Sequence, residues 1–431
     1  MPDYDLLIRG AAPLPAIGIA SGVIAGLAEG SAREAIDASG LIVLPGVIDA
    51  HVHFNEPGRT EWEGWATGSR AAVAGGVTTV CDMPLNSLPP VVTAEAFDAK
   101  RAAAEAQSIG DFALWGGLVP GRVGELDALA ARGVIGFKAF MASSGVDDFP
   151  KVDAATLREG MRRAAALRLP VAVHAELDPE PPDAGAEPRG TSVAAYLASR
   201  PIASECAAVD LALDLAGEAG CALHIVHVSS ARALTRILAA RARGVDVTAE
   251  TCPHYLLLTG EDMERLGAVA KCAPPLRDAA ERDALIAHVR AGDVDTIGSD
   301  HSPSPWAMKT DDDFFRVWGG IAGVQHLLPL LLDAGFDVDL VARLTAAQVA
   351  ARFRLPAKGR LEVGASADLT LIDRSAERTI TADELWYRHR LSPYVGRRVR
   401  ARVRRTILRG RTVFHDDRVT AAGGGRLIVP A

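Results

Sequence analysis

Eight short apolar runs alternate with amphipathic, helix-patterned stretches through the middle of this chain, and no other feature restricts its fold as strongly. The runs occupy 41–50, 77–83, 112–118, 134–140, 169–175, 221–228, 245–251 and 294–300. Between them lie stretches such as 60–75, 93–108, 155–168, 232–243 and 279–291, several rich in alanine, a strong helix former. Strands that alternate with helices pair in parallel and are covered on both faces. The pattern predicts an α/β fold of the (β/α)8 TIM-barrel type. A doubly wound open sheet is the rival, but no run leads into the phosphate-binding G-x-G-x-x-G turn.

The two ends of the chain read differently. Residues 1–45 hold short apolar pieces broken by glycine, such as Leu6-Leu7-Ile8, Ala16-Ile17-Gly18-Ile19 and Val23-Ile24. Residues 357–431 have the same character, as in Asp368-Leu369-Thr370-Leu371-Ile372 and Val413-Phe414-His415. Such pieces are too short for helices and read as strands. The two ends are therefore expected to meet in one small discontinuous β domain, 1–45 with 357–431, beside a barrel over 46–356. The Pro- and Gly-rich loop 178–191 reads as an insertion near the barrel mouth, and 302–318 as a lid. Val324–Leu332 reads as a buried helix that begins or kinks at Pro329.

Composition narrows the partners. The 431 residues are 49% hydrophobic and 23% charged, ordinary for a soluble globular chain. The net charge of −8 argues against nucleic acid or an anionic membrane as partner. No apolar run is long enough to span a bilayer. Met1-Pro2-Asp3-Tyr4-Asp5 is acidic and lacks the basic region of a signal peptide. Cys81, Cys206, Cys221, Cys252 and Cys272 form no C-x-x-C pair and are odd in number, which favours a reducing cytoplasm. Arg397–Arg405 alternates basic and apolar residues; it reads as a half-exposed strand whose arginines meet acidic neighbours, not as a polyanion site.

Polar residues gather at the ends of the apolar runs. The first run ends in His51-Val52-His53, and alternation along a strand puts both histidines on one face. Lys138 sits inside Val134–Phe140, His174 ends Pro170–His174, His227 ends Leu223–His227, and Asp300-His301 ends Val294–His301. Barrel enzymes carry their active sites at the C-terminal ends of the strands. Four histidines, a lysine and an aspartate at matched depth therefore suit a divalent transition metal. Parity sorts the rest: His224 and His227 are an odd number apart, so His227 is taken as inward and His224 as packed outward under a helix. By the same rule Asp300 faces inward and His301 does not. His254, past the seventh run, reads as structural, and His288, His326, His389 and His415 as surface or packing residues. An ammonium repels a metal ion, but a buried lysine has its pKa pulled down. As the neutral amine, Lys138 can add carbon dioxide, and the resulting carbamate can bridge two cations.

With these residues in view, the sequence resembles the amidohydrolase superfamily, and within it the cyclic amidohydrolases, over nearly its whole length. The stretches that carry this are His53-Phe54-Asn55-Glu56-Pro57-Gly58-Arg59, Trp62-Glu63-Gly64 with Thr67-Gly68, Ala74–Thr79, Asp82-Met83-Pro84-Leu85-Asn86, Gly136-Phe137-Lys138, Cys252-Pro253-His254-Tyr255, Pro274-Pro275-Leu276-Arg277, Ser299–Pro303, Trp318–Gly323, Tyr387-Arg388-His389 and Ser392–Arg397. The Met83–Asn86 and Trp318–Gly323 stretches are the narrower ones, similar to the branch that hydrolyses allantoin to allantoate in purine catabolism. The resemblance implies His51, His53 and Asp300 on one metal, His174 and His227 on a second, and carbamylated Lys138 between them. It leaves zinc, cobalt, manganese or iron open as the metal, and implies a homo-oligomer, often a tetramer.

It also assigns roles. Asp300 would act as general acid and base; Ser143, where relatives differ, is the candidate oxyanion donor, with an ordinary loop serine as the alternative. The backbone near Ala273 and Gly320-Ile321 would read the ring, while Asn55, Arg59, Asn86, Lys309 and Trp318 would meet the ureido tail. Arg59 and Trp318 can equally brace loops. Two departures bear on substrate. Dihydroorotases usually carry arginine where this chain has Asn55, which removes the cation for a substrate carboxylate. Hydantoinases and dihydropyrimidinases usually carry tyrosine where it has Ser143. A hydantoinase-like cyclic amide hydrolase stays as the alternative, and a non-catalytic scaffold as a remote one.

Overall fold

A computed structural model describes residues 3–178 and 190–431. Its centre is a ring of parallel strands: β1 (Val47–Val52), β2 (Val77–Asp82), β3 (Asp111–Leu114, resumed at Gly116–Gly117), β4 (Phe137–Phe140), β5 (Val171–His174), β6 (Leu223–Ile225), β7 (Val247–Thr251) and β8 (Thr296–Ile297). Past the end of β8, His301 bridges to Val52, and the His53 amide donates to the His301 carbonyl at 2.8 Å, closing the ring. Almost every strand residue is buried, as a sheet covered on both faces requires. The loop expected as an insertion at 178–191 falls, at 179–189, outside the described residues.

The helices start where a capping side chain sits before an apolar stripe. Thr93, Asp153, Ser230 and Asp278 each accept a backbone N–H of the first turn of their helices, Ala94–Gln107, Ala154–Ala166, Ala231–Ala242 and Ala279–Ala291. The narrow end of the barrel is plugged by Val349, Phe353 and Leu355, which pack on Ile48, Ala113, Trp115, Ile135 and Ala172. The plug leaves the opposite end, where the strands finish, free for chemistry.

The first apolar run does not form one strand. It divides at Gly46: Ile42–Pro45 pairs antiparallel with Leu369–Asp373 in a five-stranded sheet, and Val47–Val52 turns into the barrel. A Cβ at Gly46 would lie 2.2 Å from Thr78 Oγ1, so the chain passes from one sheet to the other at a point that admits no side chain. The five-stranded sheet otherwise comes from the C-terminal segment, and it packs on a four-stranded sheet built from residues 4–37. Ile8, Ile17, Ile24, Val43, Leu369, Leu371 and Ile407 share that core, so the chain's two ends fold together. Lys358 fastens this unit to the barrel, donating to Asp111 Oδ2 at 2.6 Å and Asp368 Oδ2 at 2.5 Å, with Arg409 on the other Asp111 oxygen. The basic stretch near Arg400 is matched by acids, with Arg398 on Glu377, Arg402 on Asp417 and Arg404 on Asp416. Val324–His326 forms a 3-10 turn that leads into the buried helix Leu327–Asp333, with Pro329 inside its first turn.

Candidate active site

The strand ends open into a cavity of about 490 Å³. Five of the residues singled out by sequence as ligands, His51, His53, His174, His227 and Asp300, line it together. His51 Nδ1 donates to Glu250 Oε1 at 2.9 Å and His53 Nδ1 to the Leu85 carbonyl at 2.8 Å. Those bonds fix the tautomers and leave both Nε2 lone pairs facing the cavity. The two Nε2 atoms lie 3.3 and 3.4 Å from Asp300 Oδ1. Across the mouth, His174 Nδ1 and His227 Nε2 stand 3.1 Å apart. Donors held about 2.1 Å from a tetrahedral cation are separated by about 3.4 Å. Both groups therefore have the spacing of a ligand set, and the donor chemistry fits divalent transition metals.

The electrostatics point the same way. Burial pushes the imidazoles of His51, His174 and His227 below their ordinary range, which keeps them neutral and able to donate a lone pair. Burial raises Asp300, but the nearby His51, His53 and His227 outweigh it and hold the carboxyl well below its usual range. Lys138 is fully buried, and its Nζ has no hydrogen-bond acceptor among the described residues. Desolvation lowers it to about 7 against the pull of Asp300 and Glu250, so near neutral pH much of it is the free amine that carbon dioxide can capture. The Lys138 and Ala172 pair on neighbouring strands puts this amine on the inner face of the barrel.

One orientation differs from that expected by parity. The register pairs His224 with Ala172, so His224 faces inward like Lys138, not outward under a helix. It sits deeper than the candidate ligands, with Nδ1 2.8 Å from Thr248 Oγ1 and Nε2 3.6 Å from Glu250 Oε2. His227 also enters the site, because β6 ends at Ile225 and a positive φ of 41° at His227 swings its side chain inward. Asp300 keeps the parity of Thr296, whose partner Glu250 is inward, and it too carries a positive φ, 46°.

The other predicted contacts divide into two groups. Ser143, Asn86, Ala273, Gly320 and Trp318 line the cavity. Gly320 has φ 138°, and a Cβ there would lie 2.2 Å from the Ser302 carbonyl, so this part of the wall is backbone by necessity. Asn55, Arg59 and Ile321 do not line it. Asn55 exchanges 3.4 Å contacts with Asn86 and the Pro303 carbonyl, Arg59 donates to the Asn86 carbonyl at 2.6 Å, and Ile321 bridges to His301. These residues shape the loops behind the wall. Lys309 is likewise withdrawn from the substrate: its ammonium donates to the carbonyls of Ala268, Trp318 and Gly320 at 3.0–3.2 Å. Lys271 does the same for Phe314 and Val317, so both lysines pin the segment 302–318 across the mouth.

An amidohydrolase family model matches residues 42–413. The chain is 54% identical to an allantoinase of Rubrobacter xylanophilus, over 100% of this chain and 98% of the relative. The chain belongs to the allantoinase branch of the amidohydrolase family. An allantoinase of Deinococcus radiodurans is 48% identical, over 99% of each chain. Among solved structures, an L-hydantoinase (dihydropyrimidinase) from Arthrobacter aurescens superposes with a TM-score of 0.92 at 31% identity, covering 99% of this chain and 100% of that one.

Several residues of this amidohydrolase site escaped the sequence reading. Glu250 orients His51; burial raises its carboxyl, but the neighbouring imidazoles of His51 and His224 outweigh that and hold it at about 2. A signal existed, because Glu250 interrupts the apolar run Val247–Thr251 as Lys138 interrupts its own. Glu176, 3.4 Å from His174 Nε2, is two residues beyond that histidine and shares its parity. Arg200, on the turn after the helix Val193–Ser199, had no such signal. His254 is buried with both ring nitrogens unpartnered among the described residues, and burial lowers it to about 4. It does not line the cavity. The Tyr387–His389 stretch braces the loop after His53: Arg388 Nε donates to the Glu63 carbonyl at 2.6 Å and His389 Nε2 to that of Glu61 at 2.8 Å.

Proposed function

We propose that this protein hydrolyses the hydantoin-ring amide of allantoin to allantoate, as its curated relatives' name implies for them. The observation that carries the reading is the set of five neutral or anionic donors around one cavity beside an unpartnered lysine. His51, His53 and Asp300 would hold one divalent ion, His174 and His227 a second, with Lys138 as the bridging carbamate. Zinc, cobalt, manganese and iron all suit these donors. Bound there, the ions would acidify water and polarise the scissile carbonyl.

The chain's own groups do the rest. Asp300 Oδ1 faces His51 and His53, which leaves Oδ2 to take the proton of the attacking water and return it to the leaving ring nitrogen. The overall change adds water across the C–N bond: oxygen to the carbonyl carbon, hydrogen to nitrogen. Ser143, exposed on the cavity wall, donates to the oxygen that gains charge. Backbone groups at Ala273 and Gly320 read the ring edge, and Asn86 and Trp318 border the substituent. The segment 302–318, pinned by Lys271 and Lys309, keeps bulk water from that side. We further infer a homotetramer working in the cytoplasm; no helix among the described residues is long and apolar enough to cross a membrane.

The test is turnover of allantoin, hydantoin, dihydrouracil and dihydroorotate by protein loaded with defined metals. Preference for allantoin is expected. Preference for unsubstituted hydantoin or dihydrouracil would replace this reading with a hydantoinase-like one.

A further inference from the structure

We propose that Arg200 sets substrate specificity by donating to the carbonyl oxygen of the exocyclic ureido group, an inference that rests on the allantoin reading above. Arg200 lines the cavity, and its side chain is only 16% exposed. The guanidinium is oriented before any substrate arrives. Nη1 meets Glu176 Oε2, the face of the Tyr196 ring lies 5.7 Å from Cζ, and Arg277 holds the Arg200 carbonyl at 2.6 Å. Arg277 is itself fixed by Ser229 at 2.9 Å. Among the described residues, Nε and Nη2 of Arg200 have no acceptor.

The position suits the tail and not the reacting carbonyl. Glu176 stands between the guanidinium and His174, which places Arg200 one side chain away from the ligand cluster. The ureido group hangs from the ring carbon next to the scissile carbonyl, so it is offset from the ligands in the same way. Its carbonyl oxygen has two lone pairs, and a planar guanidinium edge can supply two parallel N–H donors. Glu176 also cancels the charge of Arg200, so the cation does not repel metal ions at His174.

The other cations on this wall are poorer candidates. The Lys271 ammonium donates to backbone carbonyls, and the Arg316 side chain is 75% exposed. Solvent exposure weakens a hydrogen bond that must compete with water.

The experiment compares allantoin turnover with competitive inhibition by 5-methylhydantoin, which keeps the ring and lacks the ureido group. Arg200→Lys retains a cation for Glu176 but loses the planar edge. Its kcat/KM for allantoin should fall roughly 10- to 100-fold, the value of a charge-assisted hydrogen bond. The inhibition constant of 5-methylhydantoin and the bound-metal content should stay at wild-type values. Equal losses for both ligands would overturn the proposal and make Arg200 a positioning residue for His174 through Glu176. Unchanged allantoin kinetics would overturn it as well. If Arg200→Lys does not fold, the same pair of measurements on Arg200→Gln decides. A wild-type protein that opens 5-methylhydantoin but not allantoin would refute the parent reading, and this one with it.

Discussion

Lys138 and Lys358 are both buried, yet they stand at opposite ends of the barrel and have opposite surroundings. Lys358 has two carboxylates within 2.6 Å, both supplied by the chain, and it joins the barrel to the β domain. Lys138 has no acceptor among the described residues, and burial drags it down to about 7. Near it, Glu250 Oε2 and His227 Nδ1 are also without hydrogen-bond partners among those residues. Buried polar groups are rarely left unpaired without cause. Where the chain supplies every partner, the cluster holds the structure together; where it withholds them, the cluster is addressed to something from outside.

The contrast can be broken at four points. The largest effect belongs to the mouth. Asp300→Asn should lower kcat by about 10² to 10⁴ while the thermal midpoint stays put, since the loss is chemical and not structural. Near-native turnover of allantoin would remove the acid–base role. At the other end, Lys358→Met leaves Asp111 and Asp368 short of a buried cation and should cost about 3–5 kcal/mol in urea unfolding, with kcat per folded molecule unchanged. A denaturation midpoint like the wild type's would show that Arg409 alone carries the junction.

A smaller change is expected from Glu250→Gln, which weakens the bond that orients His51. Metal affinity, read by competition with a chromogenic chelator, should drop about 10- to 100-fold. No drop would make Glu250 a structural residue of the barrel interior. The last test is a pH dependence of the metal-free, uncarbamylated protein, which amounts to only about 1.4 kcal/mol for each pH unit. Lys138 falls from 10.5 to about 7 on folding, so between those values the unfolded chain binds a proton that the folded one does not. Stability then rises with pH across that window and levels off below about 7, where both states are protonated. Lys138→Met should flatten the rise, and an identical slope in both proteins would show that other groups produce it.

Much of the site was legible because its residues break a pattern. A histidine, lysine or aspartate at the end of an apolar run or inside it is conspicuous against leucine, valine and alanine, and five such runs name the candidate ligands. Glu250 obeys the same rule but stands out less, because Thr248 and Thr251 make its run less apolar than the one around Lys138. Arg200, Tyr196 and Lys271 could not be read this way. They lie on turns and helices away from the strand ends, and only the folding of 190–200 and 271–273 against the mouth brings them to the wall.

The sequence by itself determined the alternation of strand and helix, the pairing of the two chain ends in a β unit, and which side chains stand at the barrel mouth. Each of these follows from local hydrophobic pattern, which needs no knowledge of distant neighbours. Tertiary structure alone decided that one apolar run divides at Gly46 between two sheets, and that both His224 and His227 face inward. Parity holds only while the chain stays extended. A positive φ at His227 cancels the alternation, and the register with β5 fixes His224 by pairing across sequence rather than along it. The same distinction separates the two lysines. Both are lysines within buried surroundings, and which one finds carboxylates depends on strands and loops hundreds of residues away, as Asp111 is for Lys358.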